Sequence, residues 1–364
     1  MNPTCEPLVS IVTPVYNEEE HLEECIQSIL AQSYSNWDYV IVNNCSTDRT
    51  MEIAQAYAAK DSRIRVHSNE QFLPMLANHN VAVGQISGDS KYCKVVLGDD
   101  LIFDDCLKKM VAVAEQHPSV GIVSSYQLHG TVVRSAGLPY TQTLVSGREA
   151  CRSFLRQDVI LFGTQTSVLY RSDLVRARNP FYVESNMCAD FEVCFALLRD
   201  FDLGFVHQVL TYSRPRPGSI GSVTSDTGAT LGSLLEILQT YGGQCLNEGE
   251  FEECLALQVS EYYEFLGRRL WVERDRSFWE FHRRVLDQAG VGFSRLRVAR
   301  AALGAFIALA ATPRALRERI GRLSARRRWR SRQSRGVIAG FDSGRPAARP
   351  PAVQGGELRG GNSE

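Results

Sequence analysis

KYCKVVLGDDLIF, residues 91–103, runs an apolar-leaning strand through Gly98 straight into two adjacent aspartates, Asp99 and Asp100. A bare pair of carboxylates is costly unless something cationic sits against it. Two such groups at a strand end suit a hard divalent cation, Mg²⁺ or Mn²⁺, bound through oxygen. The plainer alternative is that they cap the helix that follows, but Asp104 and Asp105 stand ready for that role.

Upstream, the same theme recurs. LVSIVTPVY (8–16) is rich in β-branched residues and ends at polar Asn17, and the strand over Tyr39–Val42 breaks into Asn43-Asn44. Between them, EEEHLEECIQSILAQS places Leu22, Cys25, Ile26 and Ile29 on one helical face, with acids in the first turn where the helix dipole favours them. STDRTMEIAQAYAAK opens a second helix with Ser46, Thr47 or Asp48 as its cap. IRVHSN, LANHNVAVGQIS, DDCLKKMVAVAEQHP and VGIVSSYQL continue the alternation as strand, helix, helix and strand, with Asp104 as a cap and Pro118 as a stop. This rhythm predicts an α/β fold, a mostly parallel sheet flanked by helices. In such sheets ligands collect at the carboxyl ends of the strands, and all three polar breaks fall there.

The rhythm loosens from about residue 140 into a mixed region with one clear helix, DFEVCFALLRDF (190–201), and residues 231–290 read as helices. The expected division is a catalytic domain over 1–225, a helical extension over 226–335, and a Gly/Pro/Arg-rich disordered tail over 336–364. A chain of 364 residues has room for that, and 44% apolar with 22% charged residues excludes a wholly disordered chain. Ten cysteines without a CxxC pair fit a reduced, cytoplasmic compartment. MNPTCEPLVS shows no signal pattern, and no window reaches the roughly 18 apolar residues that cross a bilayer. Arginines crowd the C-terminal end although the net charge is only −1. AALGAFIALAA (301–311) makes a helix of ~16 Å, too short to span. Beyond Pro313, Leu316, Ile320 and Leu323 line one face of an arginine-studded helix, the pattern of a segment lying on an anionic membrane surface. That surface is the expected partner of residues 296–335, placing the protein peripherally on the inner face of the cell membrane; no nucleic-acid partner is expected.

VSIVTPVYNEEEHLEECIQSILAQSYSNWDYVIVNNCSTDRT, followed by LANHNVAVGQISGDSKYCKVVLGDD, resembles glycosyltransferase family 2, the inverting nucleotide-sugar transferases with a GT-A fold, over roughly residues 8–225. The resemblance implies a Rossmann-like GT-A sheet and a UDP-, dTDP- or GDP-sugar donor. It puts Pro14, Tyr16, Asn17, Glu19, Asn44, His79 and Asn80 around the donor, with Tyr16 against the base. Asp99 would reach the ribose or metal, and Asp100 would be the principal metal ligand. SNMCADFEVCFALLRDF matches the family segment that supplies the catalytic base, here Asp190, with Glu192 as a nearby second acid; as residues alone, Asp190 also reads as a helix cap. FGTQTSVLYRSDL (162–174) is similar to the acceptor side, and VLTYSRPRPGSIGS (209–222) to a loop near the diphosphate, with Arg214 or Arg216 as contacts.

This chain departs from the pattern. An amide, Asn44, stands where relatives carry Asp; His79 replaces a fixed cation with a titratable one; and Ala189 replaces a Glu before the base. The expected reaction is an in-line displacement at the anomeric carbon, Asp190 taking the proton of a glycan or lipid-linked hydroxyl, in cell-surface polysaccharide or glycolipid assembly. A sugar-nucleotide binder without activity is the alternative, and a sugar nucleotidyltransferase is disfavoured because TPVYNEEEHL lacks a Gly-rich phosphate loop and lysine.

Overall fold

The computed structural model describes residues 6–216 and 226–311. Four parallel strands form the first half of a ten-stranded sheet: β1 (Val9–Val15), β2 (Trp37–Asn43), β3 (Ile64–Ser68) and β4 (Tyr92–Val95). The second half adds β5 (Leu101–Ile102), β6 (Val120–His129), β7 (Val132–Arg134), β8 (Leu144–Val145), β9 (Leu169–Arg171) and β10 (Asp202–Ser213). The spatial order is β3-β2-β1-β4-β9-β6-β10-β5, with β7 on β6 and β8 on β10. β6 and β10 run parallel, while β9 lies antiparallel between β4 and β6. The α/β expectation of a mostly parallel sheet holds.

Both faces of the sheet are buried, which period-2 alternation makes visible. On β1, β2 and β4, the side chains Val12, Val40, Val42, Cys93 and Val95 enter one core, while Val9, Ile11, Tyr39, Ile41 and Tyr92 enter the other. The second core is closed by α1 (Leu22–Leu30), α2 (Thr50–Ala58) and α4 (Cys106–Gln116); α3 (Met75–Gly84) supplies Leu76, Ala82 and Val83 to the first. α1 buries Leu22, Cys25, Ile26 and Ile29, the face that its spacing predicts. α5 (Gly147–Leu155) and α7 (Ala189–Leu198) join α3, and α6 (Ser172–Ala177) follows β9 directly.

Capping differs in detail from the sequence reading. None of the three candidates is the N-cap of α2, which is Arg49; Asp48, one residue earlier, accepts the Thr50 N–H at 3.0 Å and the Thr50 hydroxyl at 2.6 Å on Oδ1. Asp104 does not cap α4, which starts at Cys106 after Asp105, and Asp105 makes no capping bond there. Its carboxylate instead accepts from the Ser33 hydroxyl at 2.8 Å and pairs with Lys109 at 3.0 Å. Side-chain charge one turn along competes with the backbone donors.

Helices α8 (Ala229–Cys245), α9 (Glu248–Arg269), α10 (Arg276–Gln288) and α11 (Arg295–Ala311) follow. Ile237, Leu238, Cys245 and Cys254 belong to the same core as the sheet, whereas Leu235, Tyr262, Leu266, Phe278 and Leu286 make a separate one. The chain through Ala308 forms one compact unit. The expected tail and most of the basic segment lie outside the described residues.

The start of α5 abuts the end of α7. A Cβ on Gly147 would stand 2.0 Å from the Leu198 carbonyl oxygen and 2.1 Å from that of Phe201. Backbone cannot retreat as a side-chain tip can, so Gly147→Ala should cost about 2 kcal/mol or more. A urea titration of the full chain, read by the shift of its midpoint at constant slope, measures this.

Candidate active site

The carboxyl ends of β1, β2 and β4 open side by side. Asn44 N–H donates to the Val15 carbonyl at 2.9 Å, and Val96 N–H to the Val12 carbonyl at 3.0 Å. Gly98 is where the loop after β4 meets the loop after β1: a Cβ there would lie 2.9 Å from Val15 Cγ1 and 3.2 Å from Glu18 Cγ. Only glycine lets the two loops approach this closely.

Asp99 and Asp100 emerge immediately beyond. Asp100 is 3% exposed and makes two bonds within the chain. Its Oδ2 accepts from the Thr166 hydroxyl at 2.6 Å and its Oδ1 from the Arg214 N–H at 3.2 Å. Burial, then the adjacent Asp99 charge, pushes its carboxyl up to about 7. Asp99 Oδ2 pairs with Arg216 Nε at 2.8 Å, and its carbonyl accepts from Arg214 Nε at 3.3 Å. Arg216 Nη2 reaches Glu18 Oε1 at 2.5 Å, and Arg214 Nη2 reaches Glu24 Oε2 at 2.6 Å. The cation that the doublet demands is therefore present, supplied by the segment just after β10. Glu18, which the sequence reading did not single out, shares Arg216, and its Oε2 is buried with no partner. Burial raises the Glu18 carboxyl above its ordinary value even though Arg216 opposes the shift.

This neighbourhood suits a divalent ion in donor type. Asp99 and Asp100 offer carboxylate oxygens, the Arg216 guanidinium stands between Asp99 and Glu18, and the second Glu18 oxygen is unpartnered. Among the described residues, no group of three or more His, Cys, Asp or Glu forms a complete metal cage. Two protein carboxylates completed by a diphosphate fit that arrangement.

The other expected donor contacts divide. Tyr16 is 41% exposed and meets Phe72 edge-on, with centroids 4.8 Å apart. Pro14 is buried in β1 opposite Val42. Asn17, at φ 54°, accepts the Thr47 N–H on Oδ1 at 2.8 Å, and Glu19 accepts the Arg49 N–H at 3.0 Å. These two bonds lock the loop after β1 to the turn after β2. Asn44 is 2% exposed, and its amide is occupied at both ends. Its oxygen accepts from Leu73 N–H and Asn69 Nδ2, both at 2.9 Å, and its nitrogen donates to the Leu73 carbonyl at 2.8 Å. Asn44 thus holds the loop that carries Phe72. Asn80 does the same for the approach to α7, bonding the Tyr182 N–H at 2.8 Å and carbonyl at 2.9 Å. His79 corrects the expectation of a titratable cation: it is 6% exposed and burial pushes its imidazole down to about 4, so it is neutral near pH 7.

Two acids begin α7. Glu192 is bound by Arg178 Nη2 at 2.9 and 2.8 Å and by the Tyr241 hydroxyl. Among the described residues no cation pairs with Asp190: its Oδ1 accepts the adjacent Phe191 N–H at 3.0 Å, and burial pushes its carboxyl up to about 6. The helix is capped by Cys188, not by Asp190. Burial raises the hydroxyls of Tyr170 and Tyr182 well above their ordinary value, with Asp190 among the smaller contributors. Among the described residues no direct bond joins Asp190 to the doublet.

The acidic doublet, met by arginines, lies at the carboxyl end of the sheet, where α/β folds gather their ligands. Residues 10–178 match the glycosyl transferase family 2 model. EpsE of Bacillus subtilis, which carries a glycosyltransferase name, is 39% identical over 123 residues, 34% of this chain and 44% of EpsE. TuaG of the same organism, named for glycosyl transfer in teichuronic acid biosynthesis, is 32% identical over 123 residues, 34% of this chain and 48% of TuaG. The matched stretch thus spans less than half of each of these relatives. S. aureus TarS 1–349 in complex with UDP-GlcNAc shares the fold at a TM-score of 0.57 and 19% identity, covering 81% of this chain and 87% of that one. The mannosyltransferase PcManGT from Pyrobaculum calidifontis, in complex with GDP-Man and Mn²⁺, superposes at 0.51 with 17% identity over 84% and 82% of the two chains.

Arg216→Ala should leave Glu18 and Asp99 facing each other without a shared counter-charge. With Arg216 one-third exposed, the loss is about 1–2 kcal/mol at pH 7.5. A carboxyl whose folded pKa is raised binds its proton more tightly folded than unfolded, so stability falls as pH rises through that pKa. The deficit of the variant should therefore shrink on acidification, as paired denaturant titrations at pH 7.5 and 5.5 would show.

Proposed function

We propose that the chain transfers a sugar from a nucleotide-sugar donor to a hydroxyl acceptor, with inversion at the anomeric carbon. The observation that carries this reading is the Asp99–Asp100 doublet, docked against Arg214 and Arg216 in a family 2 domain. A Mg²⁺ or Mn²⁺ held there by Asp99 and Asp100 would neutralise charge on the departing nucleoside diphosphate. Arg214 and Arg216 would exchange their carboxylate partners for phosphate oxygens, acceptors of the same charge sign that a guanidinium can grip with two N–H groups. Tyr16 and Phe72 present an aromatic edge for the base.

Asp190 is the base in this reading. Glu192 is held by Arg178 and Tyr241, whereas burial raises the Asp190 carboxyl to about 6, matched to accepting a proton at neutral pH. The hydroxyl acceptor belongs to a glycan or lipid-linked glycan, in line with the teichuronic acid role in the name of TuaG.

Incubation with Mn²⁺ and a panel of UDP-, dTDP- and GDP-sugars should release nucleoside diphosphate from one donor, with release abolished by EDTA. Asp190→Asn should lower turnover by at least about a hundredfold while donor binding persists. Turnover of the unsubstituted protein should rise with pH through about 6, because the base must be ionised. Wild-type turnover in Asp190→Asn would move the base elsewhere.

Membrane association is part of the same proposal. Among the described residues no helix is long and apolar enough to cross a membrane. Leu296, Leu303, Phe306 and Ile307 of α11 are 58–70% exposed, ahead of the arginine-rich stretch. Full-length Leu303→Glu/Phe306→Glu should float less than the unsubstituted chain with vesicles of anionic lipid. Equal flotation of the two would exclude this face.

A further inference from the structure

β4 holds one residue foreign to its surroundings. Lys94 has no exposed surface, in a strand otherwise made of Tyr92, Cys93 and Val95. A buried amine is retained only where its hydrogens find acceptors. Lys94 Nζ donates to the Thr166 carbonyl at 2.6 Å and the Val168 carbonyl at 3.2 Å, with Met110 Sδ 3.7 Å away. Both carbonyls belong to the 3₁₀ turn over Gln165–Ser167 and its exit into β9, where Leu169 pairs with Lys94 itself. One side chain therefore ties that exit to β4.

The turn exists in this geometry for Thr166. Its Oγ1 accepts the Leu97 N–H at 3.1 Å and donates its single hydrogen to Asp100 Oδ2 at 2.6 Å. The path from Lys94 through the Thr166 carbonyl and hydroxyl to Asp100 begins and ends on one stretch of chain, closing a ring across β4 and β9. The far side of the turn is held independently: Gln127 Nε2 donates to Thr164 Oγ1 at 2.6 Å, and the Ser167 hydroxyl to the Thr164 carbonyl at 2.7 Å.

We propose that Lys94 is a positioning residue for the acidic doublet: it anchors the 165–168 turn so that the Thr166 hydroxyl fixes Asp100, whose carboxylate would take part in holding a divalent cation. This rests on the metal reading above. Groups behind a metal ligand commonly govern affinity by ten- to a hundredfold, through orientation alone.

The test is a Mn²⁺ titration of the full chain, alone and with UDP, dTDP or GDP, read by the electron paramagnetic resonance of free Mn²⁺, with melting recorded in parallel. Lys94→Met should weaken Mn²⁺ binding by about tenfold or more, and Thr166→Val by a similar factor. Thr166→Ser, which restores the hydroxyl, should recover the wild-type affinity, a rescue that a purely structural role would not give. Folded Lys94→Met with wild-type Mn²⁺ affinity overturns the proposal. If Lys94→Met does not fold, Thr166→Val decides alone, and unchanged Mn²⁺ affinity in it has the same force. Failure of the unsubstituted protein to bind Mn²⁺ with any of the three nucleotides is a separate result: it removes the metal reading itself.

Discussion

β4 is covered on both faces, so its chain can leave the sheet only at the carboxyl end, and there it places two like charges on consecutive residues. Such a pair must be met on the spot. The attraction of an ion pair at about 2.8 Å amounts to a few kcal/mol at an effective dielectric of ~20, against a desolvation cost of similar size. Pairing therefore prevents a penalty more than it adds stability. That requirement draws Arg214 and Arg216 from beyond β10, Thr166 from the turn before β9 and Glu18 from the loop after β1 to one place. The same counter-charges that make the doublet tolerable are suited to a diphosphate.

A second division concerns two acids on one helix. Asp190 and Glu192 begin α7 two residues apart and so point in different directions. Arg178 and Tyr241 meet Glu192, while Asp190 among the described residues is met by backbone N–H and by no cation. Chemically similar groups thereby acquire different characters: one a strut held by Arg178 and Tyr241, the other a carboxyl that burial raises to about 6.

The early strands and α1 were legible because burial imposes a period. Alternating apolar residues filled both faces of β1, β2 and β4, and Leu22, Cys25, Ile26 and Ile29 formed the buried stripe of α1. The later sheet was less legible: β9 is three residues long, and its antiparallel insertion depends on register with β4 and β6, which a local pattern does not encode. Caps were partly misread because Asp105 has Ser33 and Lys109 within reach, neighbours from another segment and the next turn. His79 read as a cation because polarity is visible in sequence and burial is not.

The polar breaks at Asn17, Asn44 and Asp99-Asp100 could be found from sequence alone, since each interrupts an apolar run where a strand must end. Their partners could not. Asn44 engages Leu73, Asp99 engages Arg216, and Lys94 engages carbonyls more than seventy positions away. Sequence by itself determined where charge and amide had to surface, because hydrophobic periodicity is local. Which of those groups stayed available and which were consumed was decided by tertiary structure, because hydrogen bonds and ion pairs act over a few ångströms between residues that only folding brings together.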